Sequence, residues 1–231
     1  MNTLRQRSVH RSQLDAYIGQ YERDLAQIPG HSDTLLWLIA RYSRGDAVAD
    51  LAAAFPSVID KVLESDALNR TNNHATTPYF THEREYAGVF RDALVLLSLS
   101  LCLRMPAHET RRLLNCCERG DPLIEALARA ATGEAQPVTS PAFPQFFAEL
   151  YEMISAPGAA RASLVTRYLA DWPGRLHGFG FLISESDLGF WCFEAAGIVA
   201  ALSVDDATFG QRTNYPADLG SFARQRRDRK P

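Results

Sequence analysis

The stretch from Leu188 to Leu202, LGFWCFEAAGIVAAL, leaves this chain few choices of fold. Wound as a helix it is apolar on nearly every face, and Glu194 is its one charge. A helix hydrophobic all round has to be buried at the centre of a domain. Just beyond it come the acidic pair Asp205-Asp206, then Phe209, then Asn214-Tyr215-Pro216 and Asp218-Leu219. Glu185 to Leu219 therefore reads as a central helix followed by a structured C-terminal cap, and the rest of the chain must wrap around it. None of this is a catalytic motif.

The rest has the periodicity to do so. Between Ser8 and Ile28, Leu14, Tyr17, Ile18, Tyr21, Leu25 and Ile28 recur at steps of three and four, one face of an amphipathic helix. Pro29-Gly30 stops it, and Ser32 or Asp33 can cap a second helix from Thr34 to Tyr42. A third is expected from Ala47 to about Ala67, kinked or split by Pro56. The polar run 69–78 reads as an exposed loop, followed by a long helix from Phe80 to Leu103. Met105-Pro106 breaks that helix and starts one reaching Cys117. Gly120-Asp121-Pro122 supplies a stop, an N-cap and a first helical residue for a helix ending near Ala131. Two more helices follow, Phe143 to Ile154 and Ala159 to Trp172, the latter ended by Pro173-Gly174.

No segment alternates as a strand would, and no repeat has a fixed period. The expected fold is all-α, a compact multi-helix bundle of about ten helices. Residues 1–131 form an N-terminal helical region, 132–144 a proline-rich linker and 145–231 a C-terminal helical region, packed as one unit.

Chemistry is sought and mostly not found. The formal charge is −3, but the last residues distort it. Arg224 to Lys230 hold five bases and one acid, so the remainder sets 19 bases against 26 acids, about −7. An acidic body argues against nucleic-acid binding, which needs a basic stripe, and suits a basic protein partner. The basic tail reads as a frayed, solubilising terminus. Cysteines 102, 116, 117 and 192 show no CxxC spacing, so no disulfide framework is expected and the cytosol is favoured. The N-terminus lacks the apolar core of a signal peptide, and Ala93 to Leu103 is too short to span a bilayer. The six histidines form no HxxxH or HExxH pair, and no GxSxG, Walker or GxGxxG loop occurs. No cofactor or metal is expected.

Two sets of carboxylates need weighing. Glu194, amid Phe190, Trp191, Phe193 and Ile198, has a raised pKa if unpaired, as a catalytic acid would. The plainer reading pairs it with a buried Arg or with donors from neighbouring helices. The acids expected at the surface are Asp60, Glu64 and Asp66 at one helix end, Glu83 and Glu85 after the polar loop, and Glu185 with Asp187. Asp60 and Glu64, four apart, share a helix face. A solvated face is the ordinary reading, though a basic protein would find such a set attractive.

The closing stretch resembles the C-terminal signature of the PoNi family, bacterial immunity proteins against PoNe DNase toxins. The likeness rests on Gly189-Phe190-Trp191, Phe193-Glu194-Ala195-Ala196, Asp205-Asp206-Ala207-Thr208-Phe209 and Tyr215-Pro216-Ala217-Asp218-Leu219. Tyr168-Leu169 and Trp172 resemble the helix before it, and Leu38 to Gly45 the family's aryl-Ser-x-Gly segment. The resemblance implies an all-helical, non-enzymatic cytoplasmic protein that binds and blocks a cognate DNase effector, often with an acidic surface. It also implies association with type VI secretion. The signature residues Trp191, Glu194, Asp205, Asp206, Phe209, Tyr215, Pro216 and Asp218 look like fold determinants, which leaves the exposed acids to meet a toxin. Two rival readings are a helical enzyme using Glu194 and a homo-oligomeric scaffold without a toxin partner.

Overall fold

The computed structural model describes residues 10–24, 31–72, 87–178 and 188–224. Within them run ten helices: α1 Arg11–Asp24, α2 His31–Arg44, α3 Val48–Asn72, α4 Ala87–Cys102, α5 Ala107–Leu114, α6 Pro122–Thr132, α7 Pro144–Ser155, α8 Gly158–Gly178, α9 Phe193–Leu202 and α10 Ala217–Arg224. No strand occurs among the described residues. The all-α expectation holds.

At the centre α9 lies against α4. From Phe90 to Ser100 every residue of α4 except Asp92 is buried, and so is every residue of α9 from Phe193 to Val199. Gly197 makes that approach possible. A Cβ there would sit 2.1 Å from Ser98 Oγ and 2.7 Å from Ser98 Cα, where no side-chain adjustment could relieve it. Helices α6, α7, α8 and α10 also pack on α9, and α6 packs on α4, so the apolar stretch is wrapped as its composition demands. One core cluster runs from Leu14 to Leu219 and draws on both sides of residues 132–144.

The central helix is shorter than expected. It starts at Phe193 because Gly189 takes a φ of 120°, and the Cys192 N–H donates to the Asn214 carbonyl at 2.8 Å. Leu188 to Cys192 is thus tied to the C-terminal cap.

Neither interior proline ends or splits its helix. Helix α3 runs through Pro56 as a single helix and continues to Asn72, so residues 69–72 are helical and only 73–78 of the expected loop lie outside the described residues. Phe55, Val58 and Ile59 around the proline are fully buried, and this packing overrides the helix-breaking tendency. Helix α8 likewise runs through Pro173, which leaves the Leu169 carbonyl without its helical donor. Asn214 Nδ2 supplies one at 2.9 Å.

The start of α6 forms as read. Asp121 Oδ1 accepts from the Leu123 N–H at 2.8 Å, Pro122 opens the helix, and Gly120 turns the chain at a φ of 99°. The proline-rich stretch after α6 is not free. Glu125 accepts from the Gln136 N–H at 2.6 Å, Asp121 from the Ala142 N–H at 2.9 Å and the Tyr151 hydroxyl at 2.8 Å, and Gly120 O from the Thr139 N–H at 2.8 Å. Two buried carboxylates hold this segment onto α6.

Candidate functional site

Glu194 is 0% exposed and does not stand alone. Its Oε1 accepts from Trp172 Nε1 at 2.6 Å and from the Tyr168 hydroxyl at 3.2 Å, both on α8. Arg91 of α4, itself buried, brings its Nε to 3.9 Å from the same oxygen, with its guanidinium 5.7 Å from the Trp172 ring centre. A buried charge is tolerated when paired and hydrogen-bonded, and here one carboxylate ties α4, α8 and α9 together. Burial, then the charge of Glu194, pushes both the Tyr168 hydroxyl and the Cys192 thiol well above their ordinary values. Neither is a nucleophile in this setting.

The other signature residues link the two ends of the chain. Trp191 Nε1 donates to Ser43 Oγ at 2.7 Å, and its ring meets Tyr42 edge-on at 4.8 Å. Tyr42 also packs on Phe193 at 5.3 Å and donates its hydroxyl to Asp218. The two segments that carry the family resemblance, Tyr42-Ser43 and the C-terminal signature, thus meet in one buried junction. Phe209 and Tyr215 pack edge-to-face at 5.0 Å. Asp206 accepts from Arg224 at 2.8 Å, while the exposed Asp205 accepts from the Ala207 N–H at 3.1 Å. Pro216 is buried and leads into α10.

The surface acids fare differently from one another. Asp60, 63% exposed at its side chain, pairs with Arg112 at 2.6 Å, and Arg112 also holds Glu109 at 2.7 Å. Glu64 pairs with Lys61 at 2.6 Å. Asp66, expected on the surface, is 7% exposed and bonds Arg70 at 2.9 Å. It also faces Cys116, whose thiol is raised to about 12 by burial and, after that, by Asp66's charge. It belongs to the interior rather than to a face. Glu83, Glu85, Glu185 and Asp187 lie outside the described residues.

A second surface, unnoticed in the sequence reading, forms where α1 meets α2. Asp33, Trp37 and Arg41 follow one another at intervals of four and so share one side of α2. Tyr21 of α1 stacks on Trp37 with ring centres 5.4 Å apart, and Arg41 lies 4.9 Å above the same indole. The signal was legible in that spacing. Among the described residues no group of three or more His, Cys, Asp or Glu suits a metal ion, and no helix is long and apolar enough to cross a membrane.

Residues 119–219 match the family model described as PoNe immunity proteins (PoNi), C-terminal. The resemblance read from the closing signature is borne out by this match, which spans Arg119 to Leu219 and hence Trp172, Glu194, Trp191 and Asp218. The chain is also similar to a crystal structure of protein PA2201 from Pseudomonas aeruginosa, with a TM-score of 0.66 over 98% of this chain and 93% of that one, at 20% identity. At that identity the likeness concerns the fold alone. No curated protein matches the sequence.

Proposed function

We propose, from the match of residues 119–219 to the PoNe immunity family, that this chain is an immunity protein. It binds a PoNe-type DNase one-to-one inside the cell that makes the toxin, and blocks the enzyme before export. That match is the observation that carries the reading. A nuclease cleft is built to attract phosphate, and carboxylates on a rigid helical surface compete for the same field. Asp60 and Glu64 on α3 are the acids offered for that contact among the described residues, joined by Glu83, Glu85, Glu185 and Asp187. Asp66 is withdrawn from the set because it is buried. No catalytic step is assigned to Glu194, whose oxygen is already engaged by Trp172 and Tyr168.

Co-expression tests this directly. Cells making a PoNe-type DNase domain should grow when they also make this chain, and the two should co-purify. Growth arrest with no co-purification would remove the immunity reading.

A further inference from the structure

Three tryptophans occur in the chain, and two of them are plainly structural. Trp172 and Trp191 are buried, and each indole N–H has an acceptor, Glu194 Oε1 and Ser43 Oγ respectively. Trp37 is different. It is partly exposed, and its Nε1, shielded from solvent, meets no hydrogen-bond acceptor among the described residues. Among the described residues no hydrogen bond ties this indole N–H to the fold.

Its surroundings are those of an interaction anchor. Tyr21 stacks beneath it, held by a hydrogen bond of 2.8 Å from its own hydroxyl to Thr34 Oγ1. Arg41 lies 4.9 Å from the centre of the same ring, fixed by Asp46 at 2.8 Å. Tyr17, partly exposed one turn before Tyr21, widens the aromatic surface. Trp, Tyr and Arg are the residues on which interfaces concentrate binding energy, above all where they are preorganised. Here a stacked phenol and a guanidinium hold the indole before any partner arrives.

Exposed acids stand near this aromatic group, beside the cations Arg41 and Lys61. Asp33 is exposed at the start of α2, with its charge felt by both Tyr17 and Tyr21. Lys61 of α3 is close enough to act on Tyr21, and it is bonded to Glu64. The α3 residues Lys61 and Glu64 therefore lie near this patch. Exposed Glu22 and Asp50 add acids on α1 and α3.

We propose that the α1–α2 face centred on Trp37, with Tyr17 and Arg41 beside it and Asp33 and Glu64 on its rim, is the surface that seats the basic DNase. This rests on the immunity reading and adds to it the anchor that exposed acids alone do not provide. The occupant is a protein with a cationic surface: the acids steer it by long-range attraction, and Trp37 and Tyr17 take up its apolar side chains or the methylene stems of its lysines and arginines. The face lies outside residues 119–219, the region matched to the family.

The probe is a PoNe-type DNase domain carrying an inactivating substitution, bound to the full chain. Trp37→Ala should weaken affinity at least tenfold, mainly through faster dissociation. Asp33→Lys, at an exposed position that leaves the core intact, should slow association several-fold at low salt. Hydrogen exchange on the unmutated complex supplies a readout independent of how the variants fold: peptides covering α1 and α2 should gain protection. A complex that forms with affinity unchanged by Asp33→Lys, and with no added protection on α1 and α2, overturns this face while leaving the immunity reading in place. Failure of the unmutated chain to bind any PoNe-type domain overturns both.

Discussion

Glu194 and Asp60 are both carboxylates paired with an arginine, and they live under opposite rules. Glu194 is fully buried between three helices, with one oxygen held by an indole and a phenol and a guanidinium nearby, so its removal leaves the Trp172 N–H without its acceptor. Asp60 stands in water beside Arg112, which keeps Glu109 if Asp60 is lost. The first region spends its charge on holding helices together. The second leaves its charge where another molecule can reach it. Position relative to solvent, and not residue type, separates a fold determinant from a candidate contact.

Predictions that break or sharpen this contrast fall in order of size. Glu194→Ala should destabilise by about 3–5 kcal/mol, the usual cost of breaking a buried pair; chemical denaturation would show it as a lower midpoint. A shift as small as that of a surface substitution would mean that α4, α8 and α9 do not depend on the carboxylate.

Glu125→Gln should cost about 1–3 kcal/mol, since Arg119 and two backbone N–H groups lose a charged acceptor. Its pH dependence sharpens the point. Burial pushes Glu125 up, but the bonds from Arg119, Gln136 N–H and Gly120 N–H outweigh it, and the carboxyl lies below its ordinary value in the folded chain. The stability it adds is fully present above the unfolded-state value of about 4.3 and is lost as pH falls through the lower folded value. Stability curves of the wild type and Glu125→Gln should therefore converge as the solution is acidified below that value. Neighbouring Asp121 has the opposite sign. Its burial outweighs the bonds from Ala142, Tyr151 and Leu123, its folded pKa is raised, and its ionisation opposes folding as pH rises through that value.

The smallest effect belongs to Asp60→Ala, about 0–1 kcal/mol as for exposed pairs generally, measurable only in a careful denaturation series. A loss comparable to that at Glu194 would show that Asp60 is part of the fold.

The places where the sequence was readable share a cause. Apolar Leu188 to Leu202 had nowhere to go but the centre, and the Gly120-Asp121-Pro122 cap is local chemistry completed within three residues. What was hidden is tertiary. The stop expected at Pro173 is cancelled by an amide from Asn214, 45 residues along the chain from the Leu169 carbonyl that it meets. The apolar run begins its helix only at Phe193, because the cap draws the Cys192 N–H away. Asp66 was misplaced for a different reason. Two positions past Glu64, it lies about 200° around the helix, so a stricter reading of helix geometry would have put it on the buried side. The Trp37 row needed only the same spacing rule applied to α2.

Measuring melting temperature and association rate together, for Glu194→Gln and Glu64→Lys against one inactivated PoNe-type DNase domain, tests the division between fold and contact most directly. The account predicts that Glu194→Gln lowers the melting temperature and leaves the association rate within about twofold, while Glu64→Lys leaves melting in place and slows association at low salt. Slowed association with unchanged melting for Glu194→Gln would contradict it.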